Sequence, residues 1–232
     1  MSIMWHIIKH DFKVVFRDST LRVFLVLPVI IFLLILLLVP YIAGRYEAVA
    51  PYQRFILIAS SVQMLQMFGF MYSMMLIDSK EIGVAKVYGI APISKTRLLG
   101  TQLLFPFTAT FVLTFLLFLC QQLVNYTILQ SIFAALLVTS LLPLYILFVV
   151  TLSGNRVEGM VWLKTVNILL ILPLLAFFLD SVVKYIFYLL PSYWLFQYLD
   201  SPSDFILALI FLVLNLILTS GFIRHFLNTQ FR

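Results

Sequence analysis

Charge and cysteine are scarce in this 232-residue sequence: Asp, Glu, Lys and Arg make up 10% of it, and Cys120 is the only cysteine. One cysteine excludes an intramolecular disulfide and a thiolate metal cluster. No Lys follows a Gly anywhere, so the chain has no G-x-x-x-x-G-K phosphate loop with which to bind ATP. It also lacks a His-Glu-x-x-His helix and a Gly-x-Ser-x-Gly elbow, the usual marks of hydrolytic chemistry. The three histidines, His6, His10 and His225, lie at the edges of apolar runs. His6 and His10 are spaced i, i+4, but no third ligand is near, so no metal site and no catalytic residue is expected.

What the sequence has in abundance is hydrophobic surface: 63% of residues are apolar and mean hydropathy is +1.12. A soluble core cannot hide that much, so the chain is read as an integral membrane protein whose first partner is the lipid bilayer. A helical span needs roughly 20 apolar residues. Val23–Ala43, too long for a signal h-region, is read as a retained first span, and Phe55–Ile77 as the second. Leu98–Asn155 carries no charge. It accommodates two spans, about 98–121 and 128–152, turning at Gln121, Gln122, Asn125, Tyr126 and Thr127, with a kink expected at Pro143. Gly159–Leu179 and Phe205–Ile223 complete six. Backbone amides in lipid must be satisfied within each segment, so the expected fold is all-α, a single transmembrane domain over 1–232.

Six spans put both ends on one side, and the basic residues choose it. With the termini cytoplasmic, Lys9, Lys13, Arg17, Arg22, Lys80, Lys86, Lys95, Arg97, Arg156, Lys164, Arg224 and Arg232 face inward, while Arg45, Arg54 and Lys184 face outward. The expected location is the plasma (inner) membrane. The net charge of +6 is thus spread along the membrane edges rather than gathered into a patch, so no nucleic-acid partner is expected.

Three segments are not spans. In residues 1–20, Met4, Ile7, Ile8, Phe12, Val15 and Phe16 recur at helical spacing opposite His6, Lys9, His10, Lys13 and Arg17. That pattern suits an interfacial helix, serving as an anchor or as contact for a cytoplasmic partner. Residues 182–202 hold an apolar stretch, Tyr185–Gln197, too short to cross and rich in aromatics; Pro191 divides it into two short helices. It reads as an outer-side re-entrant or interfacial hairpin, either a seal for the rim or a lid over an exit. Residues 78–97 join spans two and three with Asp78, Lys80, Glu81, Lys86, Lys95 and Arg97. They are longer than a plain link of 2 to 8 residues requires. A helix is expected from Asp78 to about Tyr88, broken by Gly89 and Pro92, with Ser94 capping the next helix. Solvated linker and docking surface for a soluble partner both fit.

At the entry to span five, Arg156, Glu158 and Lys164 are the charges nearest the membrane interior. Lys164 lies close enough to the edge to snorkel, and a charge pair anchoring the span is the alternative. With no charge deeper than this, an ion-driven carrier is disfavoured, and energy is expected to come from outside the chain.

These segments, in this order, resemble the membrane subunits of ABC-2 type ABC exporters over nearly the whole chain. Glu81, Gly83 and Pro92 match the family's first cytoplasmic loop, from which Val84, Ala85 and Lys86 depart. The stretch NRVEGMVWLKTVNILLILP resembles the start of span five in drug-export-like members, and PSYW, with Pro191, Tyr193 and Trp194, their outer-hairpin motif. The resemblance implies six spans, an N-terminal elbow helix, and a dimer with a second permease copy or paralogue. Each permease would sit on a separate soluble ABC ATPase subunit. It implies no cofactor in this chain, with ATP and Mg on the partner ATPase. Asp78 to Pro92 would be the coupling element: Asp78, Lys80, Glu81 and Lys86 make rim contacts, and Ile82, Val84, Val87 and Tyr88 fill a groove, with Gly83 between them. The expected function is export of a hydrophobic or amphipathic substrate. A membrane scaffold recruiting a soluble partner through 78–97 is the alternative.

Overall fold

The computed structural model describes residues 13–82, 94–179 and 182–230. Among these residues all regular structure is helical, and six helices are long and apolar enough to cross a membrane. They are α1 (Ser19–Arg45), α2 (Gln53–Glu81), α3 (Lys95–Cys120), α4 (Ile128–Leu152), α5 (Arg156–Ile171, extended by a 3-10 stretch Leu172–Phe178) and α7 (Phe205–Gln230). Between α5 and α7 lie a 3-10 helix, Val182–Leu189, and α6 (Pro191–Asp200). Residues 34–38 of α1 form a wider, π-type turn.

The helix ends follow local chemistry. Asp18, Ser94, Thr127 and Asn155 each cap a following helix with a side-chain oxygen. At Thr127 the cap is reciprocal, because Gln130 returns a bond to the Thr127 amide. The turn expected at 121–127 is held by Gln121, whose Oε1 accepts from the amides of Leu123 and Val124 at 2.7 and 2.8 Å. Helix α4 runs through Pro143 without interruption. Pro191 starts α6 at a position where its missing N–H costs nothing.

Burial does not follow hydropathy. Helix α1 has the most apolar window, mean hydropathy 3.3, and only 11% of it is buried; the span ending in α2 has the least apolar, 1.5, and 61% is buried. Lipid is as apolar as a leucine side chain, so the greasiest helix gains nothing by hiding, whereas one carrying Ser61, Gln66 and Ser73 needs protein neighbours. Helix α4, at mean hydropathy 2.5, is also 61% buried, and α2 and α4 form the centre with the other spans around them. They approach closely at Gly69, where a Cβ would stand 2.4 Å from the Tyr145 ring. The Tyr145 hydroxyl donates to Asn167 Oδ1 at 2.8 Å, and Gln66 donates to the Asn167 carbonyl at 3.1 Å, tying α2, α4 and α5 at mid-depth. Asn215 of α7 donates to the Ser140 carbonyl and hydroxyl of α4.

Residues 1–12 of the expected interfacial helix lie outside the described residues. Residues 13–17 are helical and bend at Asp18 into α1.

Candidate functional site at the basic end of the bundle

The ends of α1, α2, α4 and α5 meet at one end of the bundle, and charged side chains hold them together. Asp18 occupies the cap of α1, with Oδ1 accepting from the amides of Thr20 at 2.8 Å and Leu21 at 3.3 Å. Its Oδ2 accepts from Arg156 Nη2 at 3.2 Å. The other branch of the same guanidinium, Nη1, stands 3.5 Å from Asp78 Oδ2 at the end of α2. One arginine at the start of α5 therefore bridges two carboxylates on two other spans. Burial pushes the Asp18 carboxyl up, but the two backbone donors and Arg156 outweigh it and hold the group below its ordinary value.

Lys80, two residues further along α2, points to α4. Its ammonium donates to the carbonyls of Ser153 at 2.7 Å and Val150 at 3.3 Å, groups left over at that helix end and made negative by the helix dipole. Glu158 turns back on its own helix: it accepts from the Gly154 amide at 2.7 Å and the Asn155 side chain at 2.9 Å. The Asn155 side chain in turn accepts from the Glu158 amide. At Gly159 the backbone of α5 comes so near α2 that a Cβ would lie 2.5 Å from Ile77 Cδ1.

The residues singled out from the sequence are thus distributed unevenly. Asp78, Lys80 and Arg156 converge on this joint. Glu81 and Ile82 are exposed where α2 ends, Ile82 by 78%. Glu158 is engaged in its helix cap, and Lys164 is exposed on α5. Gly83, Val84, Lys86, Val87, Tyr88 and Pro92 lie outside the described residues, which resume at Ser94, whose hydroxyl accepts from the Arg97 amide at 3.4 Å. Sequence reasoning missed Asp18 as a partner of Arg156. A cap-type Asp followed by Ser-Thr at the edge of a span was the available signal, but nothing local pairs it with residue 156.

At the far end, Tyr193 and Trp194 belong to one aromatic cluster in the first turn of α6, which Pro191 opens. Tyr188 lies 4.7 Å from Tyr193 and 5.1 Å from Trp194 between ring centroids, and the Trp194 indole donates to the Tyr188 carbonyl at 2.9 Å. The hydroxyl of Tyr126, in the turn between α3 and α4, donates to the Leu199 carbonyl of α6. Arg54 Nη1 pairs with Asp200 Oδ1 at 3.2 Å across the same end. Between the ends, a groove of about 380 Å³ runs along α2 and α5, lined by Gln63, Gln66 and Asn167 among apolar residues. Among the described residues, no three of His, Cys, Asp and Glu come together as metal ligands do.

An all-α bundle of six membrane-capable helices, tied at one end by ion pairs and offering a groove with polar amides, defines a multi-pass membrane protein. Its family is specific: the chain belongs to the family described as "Fluoroquinolones export permease protein Rv2686c-like", matched over residues 11–227. Comparison with curated proteins and with solved structures yields no match. Membership makes the chain a transport permease, agrees with the resemblance to ABC-2 type exporters, and gives the scaffold reading no support.

Proposed function

We propose that this chain is the membrane subunit of an ATP-driven exporter in the plasma membrane, working as a permease dimer above separate soluble ATPase subunits that bind ATP and Mg. The basic end faces the cytoplasm, with both termini there. Residues 1–20 form an elbow helix in the interface, and 182–202 a re-entrant hairpin on the outer side. The fluoroquinolones named in the family description are amphipathic aromatic molecules, and the groove with Gln63, Gln66 and Asn167 suits such cargo.

The observation that carries this reading is the Arg156 joint. The 78–97 element leaves α2 one turn beyond Asp78, and there Arg156 and Lys80 bind α2 to α1, α4 and α5. A push on that element by a closing ATPase therefore reaches four spans as one rigid-body displacement. Glu81→Lys or Gly83→Trp is expected to leave the chain folded in the membrane while cutting ATPase association or export.

The test is export from cells of a fluoroquinolone under two separate treatments. Loss on ATP depletion with the ion gradients clamped supports the reading. Export that survives ATP depletion and collapses with the gradient contradicts it.

A further inference from the structure

At the far end, a cleft of about 630 Å³ opens between the start of α2, the turn after α3 and the end of α5. That size lies within the range of roughly 300–1,000 Å³ that small-molecule sites occupy. One wall is aromatic: Phe55 meets Phe178 edge-on at 4.9 Å, and Tyr52 stands 6.3 Å from Phe178. Arg54 and Asp200 are among the residues that line the rest.

The geometry of Arg54 gives the cleft a chemical preference. Both of its contacts, to Asp200 Oδ1 at 3.2 Å and to the Asp200 carbonyl at 3.1 Å, use Nη1 alone. Among the described residues nothing bonds Nη2 or Nε. That edge of the guanidinium holds two parallel N–H donors, the arrangement that takes a carboxylate through two hydrogen bonds. The Asp200 pairing meanwhile fixes the plane of the guanidinium. The two side chains are 50% and 35% exposed, so the pair contributes little to stability and is better understood as orienting the free edge.

We propose that this cleft binds flat aromatic carboxylates, the acid group on the Nε/Nη2 edge of Arg54 and the ring system against Phe55 and Phe178. Fluoroquinolones, carboxylic acids of a flat bicyclic ring, belong to that class. The inference deepens the export reading and rests on it for the position of the cleft on the exit side and for the cargo class.

The test uses the purified chain in phosphatidylcholine nanodiscs, which bring no anionic headgroup, with norfloxacin and its methyl ester as probes in equilibrium dialysis. The acid is expected to bind at least about tenfold tighter than the ester. Arg54→Gln should abolish that preference, so that acid and ester bind alike, and Phe178→Ala should weaken both ligands. Equal binding of acid and ester to the unaltered chain, no binding of either, or a preference that persists in Arg54→Gln would each overturn the proposal; the comparison on the unaltered chain depends on no variant folding. Arg54-dependent binding in a chain that fails to export with ATP would refute the exporter reading alone. ATP-driven export without acid preference would refute this site alone.

Discussion

The two ends of this bundle are held by different forces. At the basic end, Arg156 and Lys80 make directed contacts to carboxylates and helix-end carbonyls on three neighbouring helices, and Gly159 lets α5 press against α2. At the far end rings take a larger share, Phe55 packing on Phe178, beside the bond from the Tyr126 hydroxyl to the Leu199 carbonyl and the exposed Arg54–Asp200 pair at an open cleft. Charge pairs fix register because their geometry is specific, whereas aromatic stacks tolerate sliding. The contrast suits a machine that receives force at one end and opens at the other.

The largest effect on folding should come from the middle, where both ends depend on α2 lying flush with α4. Gly69→Leu drives side-chain atoms into the Tyr145 ring and is expected to cost on the order of 3 kcal/mol or more, read as lost expression and an early melting transition in detergent. Normal melting would show that the centre does not join the ends as described. At the basic end, Arg156→Gln should lower stability by only about 1 kcal/mol, because both of its ion pairs are partly exposed. A fall several times larger would make the joint a stability element rather than a transmitting one. Trp194→Phe keeps the ring and loses the bond to the Tyr188 carbonyl; it should cost less than about 1 kcal/mol and leave ATPase association unchanged. The smallest effect concerns pH. Asp18 has a depressed folded-state pKa, so its contribution is present above its unfolded value and is lost as pH falls through the folded one, below roughly pH 4. Asp18→Asn should therefore flatten the acid limb of a stability-versus-pH curve and leave the neutral region nearly unchanged in shape.

Six spans were legible because uncharged runs of about 20 residues have few alternatives. The bounds moved where caps decide them: span one begins at Ser19 rather than Val23 because Asp18 caps it, and span five at Arg156 rather than Gly159 because Asn155 does. Ser94 and the Gln121 turn were readable for the same local reason. The pairing of Arg156 with Asp18 and Asp78 was not, since residues so far apart in sequence meet only through packing. Hydropathy also misleads about which spans are central. The polar residues of α2 were the signal that it is enclosed by protein, and Tyr145 and Asn167 were hidden within apolar runs.

The central claim is that Arg156, joining α1, α2 and α5, makes those three spans move with the segment an ATPase would grip. Its most direct test is hydrolysis and fluoroquinolone transport measured in the same vesicles holding the ATPase–permease complex, with and without Arg156→Gln. The account predicts assembled complexes that still hydrolyse ATP while transport falls at least about tenfold; transport that keeps pace with hydrolysis in the variant would contradict it.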